Sequence, residues 1–212
     1  MAQKILVTGG TGYIGSHTVV ELQQSGYEIV IIDNLSNSTL DVLDGITQIT
    51  GIKPYFYQVD CLDVPALNRV FSEHKDIKGI IHFAASKAVG ESVQKPLLYY
   101  RNNILSLINM LDFMSRYNIE SIVFSSSCTV YGQPDKLPVD ETSPIKEATS
   151  PYGNTKQICE EIIRDAIVAN NQMQSIILRY FNPIGAHPST LIGEFPNGVP
   201  QNLIPFLTQT AI

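Results

Sequence analysis

Cysteine is scarce in this 212-residue chain, and the three that occur form no pattern. Cys61, Cys128 and Cys159 are scattered and odd in number, with no CxxC pair. Neither a disulfide framework nor a zinc site of ordinary spacing is expected. Charge is also sparse, at 16% of residues, and basic charge is the scarcer sign: 14 Lys and Arg against 20 Asp and Glu, a net of -6. That balance argues against nucleic acid or an anionic membrane as the main partner, because both reward basic patches. It leaves room for a phosphorylated small molecule held by backbone amides. No apolar run reaches membrane-spanning length, and MAQKILVTGG enters a strand pattern with no room for a signal peptide. A soluble, cytoplasmic protein is the expectation. His17, His74 and His187 have no ligand-like companions, so no metal site is expected, and His82 reads as a core histidine. There is no internal repeat and no low-complexity tract.

Apolar residues make up 44% of the chain, enough for a well-packed core. Short apolar runs alternate with helical periodicity. Strands are predicted at 4–8, 28–34, 54–60, 79–86, 121–127 and 174–182. Helices are predicted at 13–26, 64–74, 96–118 and 152–171. This alternation predicts an α/β fold, a Rossmann-type doubly wound parallel sheet in strand order 3-2-1-4-5-6. QPDKLPVDETSPIKEATS (133–150) reads as a loop. Prolines punctuate the last thirty residues until a short apolar stretch at 203–212. A dinucleotide-binding domain over 1–181 and the start of a substrate region over 182–212 are therefore expected, the second incomplete.

TGGTGYIG (8–15) follows a predicted strand and opens a predicted helix. It contains Gly10-x-Gly12-x-x-Gly15 and also Gly9-x-x-Gly12-x-x-Gly15; its glycines would serve a tight turn, a close approach of backbone to pyrophosphate, and close helix–strand packing. The helix N-terminus adds free N–H groups and partial positive charge. Asp33 ends the next strand, where a carboxylate can accept from both adenosine ribose hydroxyls and repels a 2′-phosphate. No arginine follows in DNLSNST, which favours NAD over NADP. Asp60 ends the third strand; it could reach the adenine or be a solvated strand-end residue.

SPYGNTK (150–156) sets Tyr152 four residues before Lys156. Such a pair is common by chance and gains meaning only beside the glycine loop. Ser127 is placed at the carboxyl end of the fifth strand, and Tyr152 and Lys156 on one face of the following helix. A lysine cation and a positive nicotinamide ring can favour the phenolate, so that Tyr152 acts as a base while Ser127 orients the reacting oxygen. In the helix 96–118, Leu98, Ile104, Leu105, Ile108, Leu111 and Met114 spread over more than one face. The next helix carries Ile158, Ile162, Ile163 and Ile167. Burial on both sides or an oligomer would explain it.

TGGTGYIGSH, IHFAASKAVGESVQKPLLYYRNN, FSSSCTVYG, SPYGNTK and LRYFNPIGAHPS together resemble the UDP-glucose 4-epimerase family of extended short-chain dehydrogenases/reductases. The resemblance runs from Lys4 to the last residue. The glycine loop and Tyr-x-x-x-Lys mark the superfamily only; KAVGES and YFNPIGAHP are more specific. The resemblance implies a bound NAD lined by Tyr13, Ile14, Asp33, Asn34, Asp60, Cys61, Phe83, Ala84, Lys87, Asn102, Lys156 and Phe181. It implies that Ser127 and Tyr152 act on the sugar, and that Asn182, Asn202 and Leu203 touch a UDP-sugar substrate. It implies a homodimer formed through the two apolar helices. The implied reaction interconverts UDP-glucose and UDP-galactose by oxidation at C4, rotation of the keto sugar and re-reduction. Family chains continue well past residue 212, so the resemblance also implies a C-terminal truncation. Two other readings stand beside it: an NAD-binding protein without turnover, and an enzyme acting on another nucleotide sugar. Ser86 occupies a loop position that often carries an apolar residue, and Cys128 and Asn154 differ from relatives at positions without an assigned role.

Overall fold

The structure, a computed structural model, describes residues 2–195, 200 and 202–211. Six strands form one sheet: β1 (Lys4–Thr8), β2 (Glu28–Asp33), β3 (Tyr55–Gln58), β4 (Ile77–His82), β5 (Ser121–Ser127) and β6 (Gln174–Tyr180). Their order is β3-β2-β1-β4-β5-β6, as the alternation of elements predicts. The pairs β1–β2, β1–β4, β2–β3 and β5–β6 are parallel. Seven α-helices occur among the described residues: α1 (Tyr13–Gln24), α2 (Asp41–Thr50), α3 (Val64–Glu73), α4 (Val89–Gln94), α5 (Pro96–Tyr117), α6 (Pro151–Ala169) and α7 (Leu203–Thr210). Predicted ends move by up to four residues. Residues 133–150 form a loop, as expected.

Three helices were not predicted: α2, α4 and α7, the last within the short apolar stretch read at 203–212. In DVLDGITQIT a mid-helix glycine and four β-branched residues in the last five weaken the helical signal. Packing explains the glycine. A Cβ on Gly45 would lie 2.6 Å from the Leu191 carbonyl oxygen. Only a bare backbone lets segment 191–192 close over α2. Ile192 then completes a cluster of buried residues with Val7, Val19, Val20, Ile29, Ile31 and Ile46.

Caps and turns end the elements where the sequence says they should. Asp63 accepts from the Ala66 N–H at the start of α3, and Ser150 from the Gly153 N–H at the start of α6. Proline follows the cap within the first turn of both. Asn118, at φ 53, ends α5 in the left-handed region, with Ile119 N–H reaching back to the Met114 carbonyl.

The chain forms two compact units. The first joins the part up to Ala84 with the part from Asn182 onward; the second is Ala85–Phe181. The segment from Asn182 thus belongs to the same unit as the part up to Ala84. In the second unit, α6 is fixed to its strands by Glu160. This carboxylate, 2% exposed, receives two bonds from Arg179 of β6, at 3.0 and 2.7 Å, and one from Ser126 of β5 at 2.5 Å.

Candidate functional site

In the first unit the glycine loop leaves β1 and turns back on itself. Gly9 sits at φ +70, and Gly12 N–H donates to the Gly9 carbonyl at 3.1 Å. A Cβ on Gly15 would stand 2.1 Å from that same oxygen, so only glycine lets α1 pack there. Gly12 caps α1 without any side-chain hydrogen bond, and the first turn carries no acidic residue. The contrast with α3 and α6, which cap themselves, is direct. The free N–H groups and dipole of α1 suit an anion brought from outside.

Asp33 lies at the carboxyl end of β2. Its Oδ2 accepts from the Thr11 N–H at 3.2 Å; its Oδ1 accepts from Leu35 N–H at 2.9 Å and from the Ser38 hydroxyl at 3.4 Å. The carboxylate is thus held against the glycine loop. Asp60 accepts from the Asn34 amide at 3.0 Å and from Leu62 N–H at 2.8 Å. Cys61 is buried, and desolvation pushes its thiol up to about 12, so the side chain is inert at neutral pH. The Phe83 and Ala84 N–H groups are fixed to β1 through the Thr8 carbonyl and hydroxyl, at 3.1 and 3.3 Å. His82 is 2% exposed with Nδ1 2.7 Å from that hydroxyl, in the core as expected. The structure thus brings Gly9, Gly12, Gly15, Tyr13, Ile14, Asp33, Asn34, Asp60, Cys61, Phe83 and Ala84 to the carboxyl ends of β1–β4. Asn182 is exposed, Asn202 is half-buried and donates to Glu194 at 2.6 Å, and Leu203 is 69% exposed.

In the second unit Ser127 is the last residue of β5 and Tyr152 stands in the first turn of α6. Ser127 Oγ accepts from the Thr129 N–H and hydroxyl at 3.2 and 3.0 Å. Burial raises the Tyr152 phenol above its ordinary pKa, and a hydrogen bond with Ser127 pulls it back in part. Without ligand, then, Tyr152 carries its proton at neutral pH. Lys156 is 3% exposed and donates to the Ser125 carbonyl at 2.7 Å. Its ammonium lies 4.9 Å from the Phe124 ring centre and 5.8 Å from that of Tyr152. Burial lowers Lys156 to about 8, which still leaves it mostly charged at pH 7.

Asn103 is a positioning residue that the sequence reading missed. Its amide spans both backbone groups of Ser86, at 2.8 and 3.0 Å, and donates to the Thr155 hydroxyl at 3.1 Å. Thr155 in turn donates to the Tyr152 carbonyl at 2.7 Å. One buried amide thus ties the loop before Lys87 to the turn that carries Tyr152. The signal was present: Tyr99, Asn103, Ser106 and Met110 form the buried stripe of α5, and an asparagine in such a stripe calls for partners. Asn102 is half-buried and donates to the Ser86 hydroxyl at 3.1 Å, which gives the unusual serine a role. Lys87 is exposed, and Phe181 is 60% exposed. No cluster of three or more metal-ligating side chains occurs among the described residues, nor any helix long and apolar enough to cross a membrane.

A family model described as NAD dependent epimerase/dehydratase family matches residues 5–209. A UDP-glucose 4-epimerase of Bacillus subtilis is 53% identical over 208 residues, covering 98% of this chain and 61% of that protein. UDP-glucose 4-epimerase 2 of Arabidopsis thaliana is 52% identical over 215 residues, covering 100% and 61%. The chain thus spans about three fifths of the length of these curated relatives. A crystal structure of UDP-glucose 4-epimerase from Bifidobacterium longum in complex with NAD+ and UDP superposes with a TM-score of 0.96 at 46% identity, over 98% of this chain and 62% of that one. The Stenotrophomonas maltophila enzyme with bound NAD and formylated UDP-arabinopyranose gives 0.94 at 47% identity, over 99% and 62%.

Proposed function

The chain belongs to the NAD dependent epimerase/dehydratase family, and from that premise we propose that it carries the NAD-binding and catalytic part of a UDP-glucose 4-epimerase. The observation that carries this reading is the arrangement of Ser127, Tyr152 and Lys156: a serine at the end of β5, a tyrosine in the first turn of α6, and a buried ammonium 5.8 Å from the phenol ring centre. The pyrophosphate of NAD fits the uncapped start of α1, where Gly9, Gly12 and Gly15 clear the backbone and Tyr13 and Ile14 offer N–H groups. Asp33 and Asn34 suit the adenosine ribose. Asp60, Cys61, Phe83, Ala84, Lys87, Asn102 and Phe181 make up the rest of the cofactor set, with Lys156 at the nicotinamide end. Bound in this way, NAD would supply the acceptor for hydride from the sugar C4 and the source of hydride for its return.

The side chains handle the proton. Tyr152 removes it from the C4 hydroxyl as hydride leaves C4, giving a 4-keto sugar and a neutral phenol. Ser127 holds the C4 oxygen in place. Asn182, Asn202 and Leu203 contact the UDP-sugar. The keto sugar turns over, and the proton returns from Tyr152 as hydride adds to the opposite face. Atoms and charge balance over the cycle. A phenol of reference pKa about 10 requires roughly 4 kcal/mol of help to act as a base near pH 7. The ligand-free site does not supply it, since burial raises Tyr152. The cationic nicotinamide ring and the Lys156 charge are the groups that would.

The test is Tyr152→Phe in a chain that turns over UDP-galactose. Conversion should fall by about 10²- to 10⁴-fold, the range for loss of a general base, with NAD still bound. Full turnover in that variant would refute the role. NAD bound with no turnover by the present chain would favour a binding protein instead.

A further inference from the structure

Tyr13 is the first residue of α1, directly after the Gly12 cap. Its hydroxyl donates to the Gly185 carbonyl at 2.5 Å. Gly185 lies in the NPIGAH stretch and holds φ at +125, a conformation that L side chains rarely adopt. A second contact reaches the same stretch. The Tyr13 ring meets the His17 ring edge-on, 5.2 Å away at 85°, and His17 Nδ1 donates to the Tyr13 carbonyl at 2.8 Å. The His17 ring stands 6.5 Å from that of His187. Segment 182–187 is exposed apart from His187, and the Tyr13 hydroxyl holds it at Gly185. Burial and the negative Glu194 raise the Tyr13 phenol, which keeps it a proton donor at neutral pH.

We infer that Tyr13 is a positioning residue that couples the glycine loop to the segment Asn182–His187. Its backbone N–H faces the anion site of α1, while its hydroxyl sets the path of the segment that presents Asn182. Fixing one end fixes the other. Cofactor occupancy would thereby order the sugar-nucleotide side of the pocket before substrate arrives. The inference rests on the reading of the glycine loop as an NAD site, and it concerns the phenol, which that reading does not use.

Hydrogen exchange of the 184–187 amides, followed by mass spectrometry with and without saturating NAD, tests it. In the wild-type chain NAD should slow exchange there about five-fold, the size that one hydrogen bond supplies. Tyr13→Phe keeps the ring against His17 and removes only the donor. At NAD occupancy matched to that of the wild type by titration, it should lose the NAD-dependent slowing. Gly185→Ala has space for a methyl but is strained at its φ, and it should give the same loss from the acceptor's side. NAD-dependent slowing that persists in both variants, or is absent in the wild type despite NAD binding, overturns the inference alone. Failure of the wild type to bind NAD overturns the reading of the site and the inference with it.

Discussion

Gly45 and Gly90 show how residues of one type differ by surroundings. Both stand inside helices, where glycine costs about 1 kcal/mol relative to alanine. A Cβ on Gly90 meets nothing within 4 Å, whereas one on Gly45 meets a backbone carbonyl at 2.6 Å. Gly90→Ala should therefore be neutral or stabilise by up to about 1 kcal/mol. Gly45→Ala should destabilise by about 1–3 kcal/mol, as overpacking does, because the Leu191 backbone must move. Urea unfolding of the two variants beside wild type checks both signs. The same pair explains part of what could be read from letters alone. Gly9, Gly12 and Gly15 were legible because they stand between a strand and a helix in a pattern with a mechanism. Gly45 was not, because its reason lies 146 positions later in the chain. Tyr152 and Lys156 were legible by spacing and resemblance. The depth of Lys156 and its bond to Ser125 were not, since spacing says nothing of burial.

Two side-chain assemblies hold elements together, and each predicts a different dependence. Glu160 joins α6 to β5 and β6 through Arg179 and Ser126. Removing Glu160's charge leaves the half-buried Arg179 without its counter-ion. Glu160→Gln should cost about 3–5 kcal/mol, measured by denaturant midpoint, while replacing both partners by apolar residues should cost less. The second assembly surrounds His74, at the end of α3. Its Nδ1 lies 3.4 Å from Lys4 Nζ and its Nε2 lies 2.8 Å from the Tyr57 hydroxyl. The ring meets Tyr55 and Tyr57 edge-on, with Glu28, Glu73 and Asp76 as the surrounding carboxylates. Desolvation and the Lys4 charge lower its pKa below the ordinary 6.5, against the pull of the carboxylates. The folded protein therefore favours neutral His74. Stability contributed by this group is full above pH 6.5 and falls as pH drops toward the lowered folded value. His74→Gln should flatten the pH dependence of thermal unfolding in that window, with the wild-type slope as reference. At the element level the strands were the most legible feature, because nearly continuous apolar runs such as KILVT and EIVIID admit few alternatives. The weak helices α2 and α4 were hidden, one by β-branched residues and glycine, the other by its six-residue length.

For the whole molecule, apolar surface is the quantity to explain. Leu97, Leu98 and Leu105 of α5 are 79%, 48% and 44% exposed, and Val168 of α6 is 86% exposed. We expect these helices to meet a second copy. Sedimentation should give twice the 23.4 kDa chain mass, and Leu98→Arg with Leu105→Arg should return it to the single-chain value. A wild-type monomer at all concentrations would refute the dimer.

Ile192 closes the cluster beneath α1 and α2 that begins with Val7. During synthesis the early strands leave the ribosome long before the residue that covers them. The nascent chain must therefore hold an apolar gap in this cluster until residue 192 has been made.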